Sequence, residues 1–200
     1  MEENSITFEA KITGCRYYSD ESSWGVYLFS TLDDIPYYTE QTVIEDTFSG
    51  DKEEKLKFSV LAGCSHGCKG CQNPITWDPD GGVLFTEKEK REIFDQLDKS
   101  YIEGITFSGG DPLHERNICE VTALAREIKE KYPNKTIWLY TGYVWEKIKR
   151  WDIINYVDVL VDGPFILEAR DVNLRWKGSP NQRVINVPRS LELGLVVLHA

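Results

Sequence analysis

The sequence predicts an α/β fold. Short apolar runs at 57–63, 104–107, 136–140 and 157–163 have the length of strands, and segments between them carry apolar residues at helical spacing. Each run also ends in glycine or polar turn residues, so the elements are cleanly punctuated. Strands alternating with helices in this way imply parallel βαβ units. Function in such sheets gathers at the carboxyl ends of the strands. Those ends carry a cysteine loop, then SGGD, TGY and VDG, and all four are expected to face one cleft.

The elements follow in order. Residues 5–30 are rich in β-branched and aromatic types and are broken by the polar stretch SDESSWG, which predicts a strand pair. EDTFSGDKEE (45–54) reads as a loop or linker, which divides the chain into a β-rich N-terminal extension (1–56) and a main domain (57–200). KFSVLAG (57–63) reads as a buried strand that delivers the cysteine loop. Thr86 with Glu89 has the form of a capping box, and Ile93, Phe94 and Leu97 share one face of the helix it starts. GITF (104–107) is the next strand, and Ile118, Val121, Leu124, Ala125 and Ile128 form a helical stripe that stops before Pro133. TIWLY (136–140) is a strand, VWEKIKRW (144–151) a short helix and VDVLVDG (157–163) a buried strand.

Composition sets the class. With 200 residues, 41% hydrophobic, 12% aromatic and 28% charged, the chain matches an ordinary globular protein. No apolar run approaches 18 residues and the start, MEENSITFEA, is acidic, so neither a membrane span nor a secretory leader is expected and the predicted location is cytoplasmic. A net charge of −10 repels phosphate backbones and argues against a nucleic-acid partner. In a reducing compartment, clustered cysteines more often bind metal or do redox chemistry than form disulfides.

Three of the five cysteines, Cys64, Cys68 and Cys71, fall within eight consecutive residues of GCSHGCKGCQN. Spaced i, i+4, i+7, with Gly63, Gly67 and Gly70 easing the backbone, three thiolates can each hold one corner iron of a 4Fe-4S cluster. The fourth iron then has no protein ligand, and an open metal position is where a substrate or cofactor binds. A structural zinc site completed by His66 or a distant ligand is the alternative, although His66 lies inside the loop itself. Cys15 and Cys119 read as small packing residues.

With the cysteine motif followed by a glycine pair and an acid-proline step, the chain resembles the radical S-adenosylmethionine superfamily. More narrowly, Cys64–Asn73 with Trp77, Ser108–His114, Thr141–Tyr143, Val157–Gly163 and Trp176–Arg183 resemble the activating enzymes of anaerobic (class III) ribonucleotide reductases, in one order from about Lys57 to Val187. The resemblance implies a partial (β/α) barrel of the radical S-adenosylmethionine type. It implies a 4Fe-4S cluster on Cys64, Cys68 and Cys71, with S-adenosyl-L-methionine on the unique iron and near Ser108, Gly109, Gly110 and Asp111. Asp111 or nearby carbonyls would accept hydrogen bonds from the methionine ammonium group, and the glycine pair would let backbone approach the ligand; a plain strand-to-helix turn capped by Asp111 is the simpler reading of SGGDP. Thr141 and Asp162 match positions where related activases place oxygen ligands for a monovalent cation, and turn formation explains them equally well. Asn181, Gln182 and Arg183 are candidates for adenosine or carboxylate contacts, or for an exposed loop. For His66 and His114, positioning the cluster loop and proton chemistry both stay open.

The implied partners are the anaerobic ribonucleotide reductase, whose glycine would lose a hydrogen atom, and an electron donor such as flavodoxin or ferredoxin. Two features depart from common patterns. Gly70 stands before the third cysteine where many superfamily members carry an aromatic residue, and the N-G-x-G-x-R type motif that usually leads into the cysteines is missing. The resemblance therefore does not extend to residues 1–56. A small radical enzyme acting on a small molecule and a non-catalytic metal-binding module are the competing readings. Anaerobic reconstitution separates the module from either enzyme: about four irons per chain are expected, lost on replacing Cys64, Cys68 or Cys71 by alanine and kept in Cys15→Ala and Cys119→Ala. Stoichiometric zinc, or a cluster that survives Cys68→Ala, would overturn the assignment.

Overall fold

A computed structural model describes the backbone of residues 4–20, 23–32, 35–41, 55–100 and 102–199, and the side chains from Leu61 to His199 apart from Val83 and Tyr101. Two compact units result, Thr7–Ser59 and a larger one made of Met1–Ile6 with Val60–Ala200. In the smaller unit, β1 (Asn4–Asp20), β2 (Ser23–Leu32) and β3 (Ile35–Gln41) form an antiparallel meander. The strand pair expected from the sequence is thus β1 and β2, joined so that Asp20 faces Ser23. The third strand was not anticipated. The 45–54 loop and Cys15 lie outside the described residues and side chains respectively.

The larger unit holds a four-stranded mixed sheet in the order β6-β7-β8-β9, comprising β6 (Gly104–Phe107), β7 (Thr136–Tyr140), β8 (Val159–Asp162) and β9 (Arg183–Asn186). The first three run parallel, as the alternation of strands and helices predicts, whereas β9 returns antiparallel to β8. β9 is not legible in the sequence because only two apolar residues, Val184 and Ile185, stand between Arg183 and Asn186. The end of β4 (Lys55–Leu61) extends the parallel set: Leu61 bridges Gly109 beside β6 and brings the cysteine loop to the same sheet end. A two-residue strand, β5 (Val83–Leu84), pairs antiparallel with Ser5 and Asn4.

Helices cover one face of this sheet. The capping box of Thr86 and Glu89 starts α1 (Glu87–Leu97), which buries Phe94 and Leu97. α2 (Ile118–Lys131) buries Val121, Leu124, Ala125 and Ile128, the stripe that its 3.6-residue spacing requires. These residues pack on Phe107, Ile137, Leu139, Leu160 and Ile185 from alternate positions of the four strands, with Trp145 and Ile148 of the one-turn helix α3 (Trp145–Ile148) closing the layer. Val159, Val161 and Val184 point to the other face, where Trp138, Tyr140 and Trp176 pack on them. After β9, Pro188 in the first turn and Gly194 in left-handed conformation bracket α4 (Val187–Leu193).

Cys119 is exposed rather than packed. It follows the first residue of the apolar stripe by one position, which turns it roughly 100° away from the core. No helix among the described residues is long and apolar enough to cross a membrane. Leu160, fully buried in the centre of the sheet, sets the scale of core packing. Leu160→Ala is expected to cost about 2–5 kcal/mol in urea unfolding, against about 1 kcal/mol for the exposed cap change Thr86→Ala.

Candidate active site

The cysteine loop leaves β4 at Leu61 and is held on both sides by backbone hydrogen bonds. Gly63 and Cys64 donate to Thr76 and Trp77 carbonyls (2.8 and 3.1 Å), which the short 3-10 helix Pro74–Thr76 presents. On the other side Gly110 N–H donates to Leu61 O (2.6 Å) and Asp111 N–H to Gly63 O (2.8 Å). The contact is so close that a Cβ on Gly110 would lie 2.5 Å from Gly63 O. Gly110 is therefore fixed by the packing of the two strand ends against each other, a cause the sequence reading had assigned to approach of a ligand. Gly63, Gly67 and Gly70 all have positive φ, between 58 and 102°. Asn117, missed from sequence, locks the same corner: its buried amide donates to Ala62 O (2.7 Å) and Asp111 O (3.1 Å).

Asp111 is 2% exposed and its carboxylate is the hub of the site. It accepts from Leu113 N (2.8 Å), from the Thr141 hydroxyl (2.9 Å), from Gly142 N (3.1 Å) and from His66 Nε2 (2.5 Å). A carboxylate offers about four lone-pair directions, and here four donors take them. The protein itself thus satisfies Asp111, leaving it as a brace between the cysteine loop, its own turn and the end of β7. His66 accordingly serves the loop as an anchor. Its ring packs edge-on to Tyr143 (4.6 Å between centroids) and lies against Gly142, where a Cβ would come within 2.5 Å of the ring. His114, also buried, caps the following turn by accepting from Arg116 N.

Cys64, Cys68 and Cys71 are free, half-buried thiols. Burial pushes the Cys64 thiol up; the His66 backbone N–H opposes this, and Asp111 with the Cys68 and Cys71 thiols adds to it. The Cys64 sulfur thus lies within electrostatic reach of both other thiols. Asn73 N–H donates to Cys71 Sγ (3.4 Å), and hydrogen bonds to sulfur are among the means by which proteins tune cluster potentials. Among the described residues no three His, Cys, Asp or Glu side chains converge as ligands of a single ion. A 4Fe-4S cluster makes no such demand, since each thiolate binds a different iron, and three soft sulfur donors on a glycine-rich loop fit it.

The sequence matches the family model of the 4Fe-4S single cluster domain over residues 56–185. Curated relatives include the anaerobic ribonucleoside-triphosphate reductase-activating proteins of Enterobacteria phage T4 (44% identity over 62% of this chain and 79% of the relative) and Haemophilus influenzae (40%, over 61% and 81%). The protein of the same name from Escherichia coli K12 is 38% identical over 62% of this chain and 83% of its own length. The chain belongs to this family. No solved structure gives a significant match. The reductase-activating family is thus reached from the same segment that carries the cysteine loop and the strand ends, and the matched region begins where β4 does.

The remaining candidates of this family member divide by position. Ser108 and Gly109 lie at the end of β6, where Ser108 O accepts from Leu61 N (3.2 Å). Thr141 follows β7, beside Asp162 at the end of β8. Asn181 and Gln182 fold their own loop: Asn181 Nδ2 donates to Pro164 O, while Gln182 accepts from Gly178 N and donates to Gly163 O. Asp162, 1% exposed, accepts from Trp145 N (2.7 Å), Arg183 N (3.3 Å), Arg183 Nε (3.0 Å) and Arg183 Nη2 (2.5 Å). Glu146, a residue the sequence reading did not single out, holds the outer side of the same guanidinium at 3.0 and 2.9 Å. The residues at this corner do not fit a monovalent cation: four donors take the Asp162 lone pairs, and the Arg183 guanidinium already supplies the positive charge.

Asp111→Ala leaves four donors unanswered in a buried corner and is expected to destabilise the metal-free protein by about 3 kcal/mol or more. Proteolysis of the metal-free protein should then cut within residues 63–73, and Gly142→Ala should do the same by displacing His66. Unchanged urea midpoints and protease maps would show that the carboxylate is not a brace.

Proposed function

We propose that this protein is the activase of an anaerobic ribonucleotide reductase, with residues 57–200 as the activase domain. The observation that carries the reading is the placement of three half-buried free thiols on one loop at the carboxyl ends of the parallel strands. The family supports it, because relatives at 38–44% identity are named as activating proteins of that reductase. Cys64, Cys68 and Cys71 would hold the 4Fe-4S cluster. When bound, reduced cluster and S-adenosyl-L-methionine supply a one-electron cleavage of the sulfonium that yields methionine and a 5'-deoxyadenosyl radical able to take hydrogen from a glycine Cα.

The chain's own residues bind, orient and exclude. The Asp111 brace keeps His66 and hence the cysteine loop in place before any metal arrives. The Asp111 side chain, Ser108 O and Gly110 N–H are already engaged, which leaves Gly109 as the backbone offered to the methionine moiety. A radical this reactive must form within contact distance of its target, so the target has to enter the cleft. The larger unit, at about 150 residues, is short of the roughly 250 needed to close a full barrel, which suits a partial (β/α) barrel with one side open to a peptide loop. Glycine is a suitable target because it lacks a side chain and admits close approach. A flavodoxin- or ferredoxin-type donor and a cytoplasmic location complete the proposal, the latter in keeping with the free thiols of Cys64, Cys68, Cys71 and Cys119.

Mixing this protein anaerobically with reductant, S-adenosyl-L-methionine and the cognate reductase is expected to give a glycyl-radical doublet by electron paramagnetic resonance and to start nucleotide reduction. Replacing the reductase glycine by alanine should abolish both. Efficient cofactor cleavage without a radical on the reductase would reject the activase reading in favour of a small-molecule substrate.

A further inference from the structure

Asp162 is a carboxylate that is almost wholly removed from water, and such a group must be matched by positive charge and hydrogen-bond donors or take up a proton. The match comes from the neighbouring strand. The antiparallel register of β8 and β9 sets Arg183 directly opposite Asp162, so the guanidinium reaches the carboxylate across one strand spacing. Nε and Nη2 bond the two carboxylate oxygens, and the backbone N–H groups of Trp145 and Arg183 take the rest. On its outer edge the same guanidinium is held by both oxygens of Glu146, so it is clamped between two carboxylates. Arg183 holds the Glu146 carboxyl down to about 2.

We propose that Arg183 is the resident cation of this corner, doing for Asp162 what an exchangeable sodium or potassium ion would otherwise have to do. The inference rests on reading the cleft as a cofactor site, and it concerns only how the end of β8 is charged. A guanidinium neither deprotonates at accessible pH nor dissociates, so the corner is filled whatever the salt. Its planar fork also fixes direction, which a spherical ion does not. The strand ends on which the cofactor would rest therefore keep their shape and charge in the metal-free protein. The consequence is independence from monovalent cations, both in folding of the metal-free chain and in cofactor binding.

The test uses the full chain and the lysine and methionine variants of Arg183, in sodium, potassium and choline chloride at one ionic strength. For the unsubstituted, metal-free protein the melting temperature is expected to be the same in all three salts. Arg183→Met should melt lower by roughly 5–10 °C in choline, because Asp162 loses its counter-charge, and should recover part of that loss in sodium or potassium. Arg183→Lys keeps the charge and should stay indifferent to the salt. Stabilisation of the unsubstituted protein by sodium or potassium over choline would overturn the proposal. So would an Arg183→Met protein that folds and ignores the cation, or an Arg183→Lys protein that responds to it. Equilibrium dialysis of S-adenosyl-L-methionine on the cluster-loaded protein separates the two readings. Affinity within about twofold across the salts is expected; a tenfold gain, worth about 1.4 kcal/mol, in sodium or potassium would reject the resident-cation assignment. No binding in any salt, with the melting pattern intact, would reject the cofactor site and leave the assignment of Arg183 standing.

Discussion

The site depends on one buried carboxylate. Asp111 stands in the turn after β6, and its oxygens gather donors from the cysteine loop, from its own turn and from the segment after β7. Burying an ionised carboxylate without partners is prohibitively costly, so the four donors are obligatory and the segments that bring them are locked to one another. That lock explains otherwise unrelated choices. Gly142 has no side chain because the His66 ring occupies the space, and Gly110 has none because the Gly63 carbonyl does. A loop that must present three thiols with little regular structure of its own is thereby given a fixed shape.

Asp162 solves the same problem with different partners. It lies one strand over from the Asp111 network and is equally buried, yet its counter-charge is a guanidinium from an antiparallel strand. The half-exposed Glu146 completes that pair, and its contribution has a definite pH sense. Since its pKa falls from 4.5 to about 2 on folding, the stabilisation is complete above pH 4.5 and is lost as the pH drops toward 2. The two acids mark the ends of β6 and β8, on either side of β7, and hold them differently, one by neutral donors and a histidine, the other by a permanent cation. Between them they set the floor on which the methionine end of the cofactor would rest in the proposed reaction.

Much of this was legible in the residues themselves. The helical stripes of α1 and α2, the capping box and the strands at 104–107, 136–140 and 157–163 are local patterns, written in spacing that the backbone enforces. The cysteine spacing is local as well: it sufficed to reach the cluster, and the family followed only with the later segments Ser108–His114, Thr141–Tyr143, Val157–Gly163 and Trp176–Arg183. Less legible were β9 and the antiparallel turn of the sheet, because a strand with two apolar residues between Arg183 and Asn186 is defined by its neighbour rather than by its own pattern. Cys119 shows the limit of spacing alone: one position off the stripe is the difference between core and solvent.

The sequence by itself determined the alternation of strands and helices, the loop that carries three thiols and the strand ends at which that loop must arrive, since each follows from short-range spacing and from chain direction. The partner of every polar side chain at those ends was decided by the tertiary structure. Asp111, read from sequence as a ligand for a cofactor ammonium, spends its lone pairs on His66, Thr141, Gly142 and Leu113; Asp162, read as a cation ligand, spends them on Arg183 and Trp145. Residues 45 and 30 positions away for Asp111 and 21 for Asp162 supply the decisive donors. A buried carboxylate takes whichever donors the fold delivers within about 3 Å, and no pattern in the linear chain encodes that distance.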